Sequence, residues 1–203
     1  MRLYFFPGAC SMSPHIALRE AGLEFKLERV DPKSKTLIDG GGDFNAVNPK
    51  SMVPVLELDN GEVLTEGPAI VQYIADLKPG SGIAPANGTL ERARLQEWLN
   101  YITSEIHKGF TPMFKPDTPD AYKAIARANL EQRFGYLDKK LAGKQYLLGD
   151  KFSVADGYLF TCMNWARLHK MDLAPWPNVA AFMERMRVRP KVQEAMKAEG
   201  LIK

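Results

Sequence analysis

Arg2-Leu-Tyr-Phe-Phe6, then Pro7-Gly-Ala-Cys-Ser-Met-Ser13, then Pro14-His-Ile-Ala-Leu-Arg-Glu-Ala21 and Gly22 open the chain. The first piece is a short aromatic-rich run ended by Pro-Gly, which reads as a buried strand. The last piece reads as a helix, with Pro14 tolerated in its first turn and Gly22 as its stop. Working outward, Phe25-Lys-Leu-Glu-Arg-Val30 alternates with period two and reads as a second strand. Residues 31–52 are irregular and include Gly40-Gly41-Gly42. Pro54-Val-Leu-Glu-Leu58, Asp59-Asn60-Gly61 and Glu62-Val-Leu-Thr65 form a hairpin signal, because Asn-Gly suits the positive φ of a tight turn. Pro68 to Leu77 reads as a second helix. The order βαβ, irregular segment, ββα predicts a small α/β domain over residues 1–77, with helices against a four-stranded sheet.

Lys78-Pro-Gly-Ser-Gly-Ile-Ala-Pro-Ala-Asn-Gly88 is turn-rich and reads as a linker. Residues 89–203 read as an all-helical domain. Leu95, Trp98, Leu99, Ile102 and Ile106 recur at spacings of three and four, predicting one long amphipathic helix from Leu90 to His107. Further helices are expected over Ala121–Leu141, Val154–Leu168 and Val179–Arg187, with a short one after Pro190. Ser153-Val-Ala-Asp156 has the spacing of a capping box.

The 203 residues carry 27 Lys+Arg against 24 Asp+Glu, a net charge of +3. That balance, without any run of five basic residues, argues against a nucleic-acid binder. Residues 1–85 carry a net −3 and residues 86–203 a net +6, so the two halves differ in surface. Two cysteines rule out a disulfide scaffold. No uncharged apolar stretch reaches the roughly 18–20 residues of a membrane span. The nine residues before Cys10 are too few and too broken by Pro7-Gly8 for a signal segment. A cytoplasmic chain without membrane association is the expectation.

Chemistry concentrates at the first strand–helix junction. Cys10 follows Gly8-Ala9 and precedes the hydroxyls of Ser11 and Ser13. A helix start favours a thiolate or another anion, although Pro14 pushes the helix start toward Ser13 and Cys10 away from it. Cys10-Ser-Met-Ser13 has C-x-x-C spacing with a hydroxyl in place of the second sulfur. Its thiol can form a mixed disulfide or donate a hydrogen bond, but cannot close a dithiol pair. Met52-Val53-Pro54 suggests either a strand start or a cis peptide that offers the Val53 main chain to an extended ligand. Glu66-Gly67-Pro68 places a carboxylate at a helix start, suited to the helix dipole or to the ends of an amino acid. No cluster has metal-ligand spacing, and neither a phosphate loop nor a Gly-x-Ser-x-Gly elbow is present. His15 and His169 read as surface or packing residues, and Cys162 as core.

Taken together, Pro7-Gly-Ala-Cys-Ser11, Ala46-Val-Asn-Pro49 with Val53-Pro54, Leu64-Thr-Glu-Gly67, Trp98-Leu-Asn-Tyr101, Glu105-Ile-His-Lys-Gly-Phe-Thr-Pro112 and Ser153–Asp156 resemble the cytosolic glutathione transferases. The nearest resemblance is to the bacterial cysteine-containing beta class, and it covers essentially the whole chain. It implies a thioredoxin-like N-terminal domain holding glutathione, an all-helical C-terminal domain and a homodimer. It implies glutathione as co-substrate, with no prosthetic group and no metal. By that resemblance Cys10 lies next to the glutathione sulfur and His107 reaches back toward the thiol; a Cys10 or Ser11 donor is read as helping to stabilise the thiolate. Lys35, or the nearby Lys33, pairs with the glycine carboxylate. Val53 bonds the cysteinyl part behind cis-Pro54, and Glu66 and Gly67 hold the γ-glutamyl end. Asn100, Ser104, Glu105 and Ile106 are expected near glutathione, the first three at the neighbouring subunit's site. Phe110, Phe114, Tyr158 and Trp165 either line an apolar pocket for a small hydrophobic electrophile or pack as core.

The implied reaction is conjugation of the glutathione thiol to such an electrophile. Cys10 used covalently would add thiol-transferase or dehalogenase activity, and a rival reading is a non-enzymatic binding or carrier module on the same fold.

Overall fold

The computed structural model describes residues 1–203. It divides into two compact units, Met1–Ala84 together with Arg189–Lys203, and Pro85–Val188.

Unit 1 is built on a four-stranded sheet in the order β2-β1-β3-β4, with β1 Arg2–Phe5, β2 Lys26–Arg29, β3 Val55–Glu57 and β4 Val63–Thr65. β1 and β2 are parallel, Arg2 opposite Lys26, and are joined by helix α1, Met12–Ala21. The crossover turns at Gly22, whose φ of 63° allows its N–H and that of Leu23 to bond back to the last carbonyls of α1. β3 runs antiparallel to β1 and to β4, as the Asn60-Gly61 hairpin requires. The short helix α2, Phe44–Val47, interrupts the irregular stretch and sends Phe44 under the sheet, against Tyr4, Val30, Val53 and Val55. Helix α3, Gly67–Leu77, packs with α1 on the opposite face through Ile70, Val71 and Ile74, all fully buried.

The last helix, α9 Pro190–Ala198, packs on α1 and belongs to unit 1. This differs from the expected extension of the helical domain to residue 203. Local periodicity reports a helix but not the domain that buries it. Here the choice is made by long-range pairs: Arg189 forks onto the Glu20 carboxylate at 2.6 and 3.0 Å, and Arg19 reaches Glu194 at 3.4 Å.

Unit 2 contains α4 Leu90–Tyr101, α5 Lys108–Phe114, α6 Asp120–Leu141, α7 Val154–Leu168 and α8 Pro177–Arg187. The expected single helix to His107 is instead widened between α4 and α5 into a π turn, Ile102–His107. The Thr103 hydroxyl donates to the Leu99 carbonyl at 2.8 Å and that of Ser104 to Asn100 at 3.2 Å, competing with the amides an α-helix would place there. Leu95, Leu99, Ile102, Ile106 and Phe110 still form one buried stripe, and Phe110 meets Phe134 of α6. α7 is buried along most of its length. At its start the Asp156 carboxylate accepts from the Ser153 N–H and hydroxyl and from the Leu147 N–H, each at 2.8 Å. No helix is long and apolar enough to cross a membrane.

Candidate active site

Where β1 ends, the chain makes a tight turn to α1, and one hydroxyl closes it. Ser11 Oγ accepts from the Phe6 N–H and donates to the Phe6 carbonyl, both at 3.2 Å, and Ser11 is fully buried. Its hydrogen is therefore committed inside the turn, which makes Ser11 a brace and leaves Cys10, of the two alternatives, as the donor at the thiol. Gly8 takes φ 71°, and its N–H points to the buried Glu199 carboxylate at 2.8 Å. The other oxygen of Glu199 meets His15 Nδ1 at 2.8 Å, and His15 Nε2 accepts from Arg19 Nε at 2.9 Å. The C-terminal segment thus clamps the turn that carries Cys10.

Cys10 is partly exposed at the tip of this turn, two residues before α1 begins. Two helix-start amides expected to favour a thiolate there are otherwise engaged: Met12 N–H bonds Ala9 and Ser13 N–H bonds the Cys10 carbonyl. The Cys10 thiol donates instead to the Val53 carbonyl, with Sγ 3.2 Å from the oxygen. The Val53–Pro54 peptide is cis. Buried Asn48 shapes the approach to it, donating to the Met52 carbonyl at 2.7 Å and accepting from the Lys50 N–H at 3.1 Å.

Gly67 opens α3 beside the same proline, a Cβ built there lying 3.9 Å from Pro54 Cγ. Glu66, at φ 70°, caps α3 with its carboxylate in solvent. Lys50 Nζ lies 2.7 Å from that carboxylate and 2.9 Å from Thr65 Oγ1. Lys50 was not among the expected site residues; its only signal is its place in the irregular segment just before Val53-Pro54. Lys35 Nζ lies 5.0 Å from the Phe6 ring centroid, beside the residue that begins the Cys10 turn. The Lys33 main-chain N–H bonds the Asp31 carboxylate at 2.9 Å, and its charge also acts on that carboxylate. Unit 1 therefore brings Cys10, Val53, Pro54, Glu66, Gly67 and Lys35 to one end of its sheet.

Unit 2 gathers a second group. His107 Nδ1 lies 2.7 Å from the Tyr158 hydroxyl, and its ring stands edge-on to Trp165 at 5.0 Å. Burial, reinforced by the neighbouring Lys108, lowers the His107 pKa to about 4, so the ring is neutral at physiological pH. Phe114, about half exposed, packs edge-on against Trp165 at 5.3 Å. Phe110 is fully buried between Phe134 and Trp165, so it backs this cluster as core and does not line a pocket. Ile106 is likewise fully buried. Asn100 and Ser104 are exposed on the adjoining surface, and Glu105 is paired with Arg133 at 2.9 Å.

The glutathione S-transferase N-terminal domain family matches residues 8–77, and the glutathione S-transferase C-terminal domain family matches residues 101–190. The chain belongs to the glutathione S-transferase family. It is 48% identical over 201 residues to glutathione S-transferase GstA of Escherichia coli O157:H7, covering 99% of this chain and 100% of that one. A ternary complex of BphK, a bacterial glutathione S-transferase, superposes with a TM-score of 0.96 at 53% identity, covering 98% and 100% of the two chains. A sphingomonad glutathione S-transferase complexed with glutathione and the bacterial beta class enzyme of Sphingomonas chungbukensis each superpose with a TM-score of 0.95. Both are 46% identical, with full coverage of both chains. Within this glutathione S-transferase, the matched N-terminal domain contains the whole unit 1 cluster from Cys10 to Gly67, and the C-terminal domain contains the His107 cluster.

Proposed function

We propose that this glutathione S-transferase couples the thiol of glutathione to small apolar electrophiles, with glutathione lying along the Cys10–Val53–Glu66 end of unit 1. The observation that carries the reading is the Cys10 thiol donating to the Val53 carbonyl beside a cis proline. An extended peptide ligand paired with Val53 brings an N–H to that carbonyl. The Cys10 hydrogen is then released toward the ligand's sulfur. A hydrogen bond to a thiolate favours the charged form over the thiol, whose pKa is about 8.5 in water. Lowering that value by two units takes about 2.7 kcal/mol, within reach of two charge-assisted hydrogen bonds. Glu66, held by Lys50, meets the α-amino group of the γ-glutamyl end, and Lys35 meets the glycine carboxylate. The half-exposed Phe114 beside Trp165 gives unit 2 an apolar surface suited to a small electrophile. The functional assembly in this reading is a homodimer.

Retention on immobilised glutathione, followed by turnover of a generic aryl halide, tests the reading. Binding with turnover is expected. Binding without turnover would favour a carrier, and failure to bind would sink the assignment of the site.

A second reading follows from the partial exposure of Cys10, which leaves its sulfur open to a mixed disulfide with glutathione. Exposure to glutathione disulfide would then add one glutathionyl group to Cys10 and release one reduced glutathione. Mass spectrometry of wild type against Cys10→Ala reads this directly.

A further inference from the structure

Lys50 and Glu66 come from two separate stretches of unit 1 and meet as a pair. The turn at Lys50 is closed by buried Asn48, whose side chain accepts from the Lys50 N–H at 3.1 Å and donates to the Met52 carbonyl at 2.7 Å. Glu66 stands between β4 and α3 at φ 70°, a left-handed conformation that a residue with a Cβ adopts only under constraint. Lys50 Nζ then bridges the Glu66 carboxylate at 2.7 Å and the Thr65 hydroxyl oxygen at 2.9 Å. The two charged side chains are 54% and 70% exposed, so solvent screens the pair. An ion pair of that kind returns little stability, and fixing a long lysine chain costs rotamer entropy. Its construction is explained by what it presents: a positive and a negative charge side by side, at the end of the sheet that gathers Cys10 and Val53.

The complement of such a pair is a group with opposite charges on one carbon, the α-ammonium and α-carboxylate of an amino acid, laid head to tail across it. Glutathione has such a carbon only at its γ-glutamyl end; its glycine end is a carboxylate alone. We infer that Lys50 is a specificity-determining residue that takes the α-carboxylate of the γ-glutamyl end while Glu66 takes its α-ammonium, so that the pair selects thiols carrying an intact amino-acid zwitterion. This rests on the glutathione site proposed above. The Lys50 ammonium has a donor to spare after its bonds to Glu66 and Thr65, and a carboxylate accepts at several lone pairs, so the ligand joins the pair without breaking it. A ligand without the α-carboxylate gives Lys50 nothing to bind. One without the ammonium brings its carboxylate toward Glu66 with no compensating charge, a like-charge penalty that works as selection. Main-chain pairing at Val53 reads neither charge, so it cannot supply this discrimination.

The test is titration calorimetry with S-methylglutathione and two analogues of it, which needs no turnover. One analogue has hydrogen in place of the α-amino group, the other hydrogen in place of the α-carboxylate. The wild type should bind each analogue at least about tenfold more weakly than S-methylglutathione. Lys50→Met should bind S-methylglutathione about tenfold more weakly, and its preference over the analogue lacking the carboxylate should fall to within about twofold. Its preference over the analogue lacking the amino group should remain. Lys50→Arg should keep both preferences, and Glu66→Gln should lose the one for the amino group. A carboxylate preference in Lys50→Met unchanged from the wild type would overturn the inference. So would an equal loss of both preferences, which marks a general electrostatic effect rather than a contact. If S-methylglutathione fails to bind the wild type, or binds Glu66→Gln as tightly, the proposed site itself falls. Weaker binding to Glu66→Gln with unaltered selectivity in Lys50→Met would leave the site standing and remove only the role of Lys50.

Discussion

Glu66 and Lys50 show how an exposed pair can matter for binding while contributing little to stability. Both are largely in solvent, where an ion pair is worth about 1 kcal/mol or less. Glu66→Ala should therefore leave the melting temperature nearly unchanged. In the proposed site, however, the carboxylate makes a charge-assisted bond to the ligand, worth about 1.5–3 kcal/mol. The KM for glutathione should rise about tenfold to a hundredfold, read from initial rates at saturating electrophile. Two buried titratable groups give opposite pH signatures in the same window. Burial raises the Asp156 pKa to about 6, against opposing bonds from Leu147 and Ser153. The folded chain then binds more protons than the unfolded chain between about pH 4 and 6, so this contribution is present below pH 4 and lost as pH rises through 6. His107, lowered by burial to about 4, does the reverse: the unfolded chain binds the extra proton between about pH 4 and 6.5, so stability rises with pH there. Each amounts to about 3 kcal/mol and they largely cancel in the wild type. Denaturant melts of Asp156→Asn and His107→Asn should separate them. The wild type should gain on Asp156→Asn as pH falls from 6 to 4, and lose ground against His107→Asn over the same range. A pH-independent difference in either comparison would contradict the assignment. The Asp156 position was legible from the Ser153–Asp156 spacing, because a capping box is local. The depth of its burial was not, because it depends on the Leu147 loop and the packing of α7.

At the scale of elements, the C-terminal segment acts as a strap on the turn that carries Cys10. Glu199 receives Gly8 and His15, and the Leu201 side chain lies 3.4 Å from where a Gly8 Cβ would stand. Glu199→Ala would leave the Gly8 N–H and the His15 ring without this buried acceptor. It should cost about 3 kcal/mol or more in a denaturant melt. It should also lower kcat/KM, because the Cys10 turn loses its brace. Normal stability would show that the strap is not under load. Helices α5 and α6 meet at another close approach. A Cβ at Gly109 would lie 2.8 Å from Leu130 Cδ2 and 3.4 Å from its Cγ, and Leu130 is fully buried. Gly109→Ala should destabilise by about 1–3 kcal/mol, although alanine is the better helix former by about 1 kcal/mol. Thermal unfolding decides the sign. Helix propensity alone predicts the opposite result, which is why this close approach could not be read from Lys108-Gly-Phe110.

For the whole molecule, ligand binding and folding are linked. Glutathione at a hundred times its dissociation constant should stabilise the chain by about 2.7 kcal/mol, seen as a rise in melting temperature that Glu66→Ala shifts to higher glutathione concentration. No rise for the wild type would count against the proposed site. The two-unit division could be anticipated from the change of pattern after Leu77, and from the −3 and +6 charges of the two halves. What the sequence by itself determined was local or near-local: the strand and helix order, the Asn60-Gly61 hairpin, the capping box, and the Cys10, Val53-Pro54 and Glu66-Gly67 motifs. These follow from backbone preferences and hydrophobic period over a few residues, which act before any distant contact forms. Only the tertiary structure decided that α9 joins unit 1, that Glu199 braces the Cys10 turn, and that Ser11 faces inward. It also decided which nitrogen of His107 meets a phenol. Those outcomes depend on which distant side chains fill the same buried space, 51 residues apart for His107 and Tyr158 and 184 for His15 and Glu199. Burial makes an unpaired polar group costly, so each such partner is strongly selected once the chain is folded, yet leaves no periodic trace in the sequence.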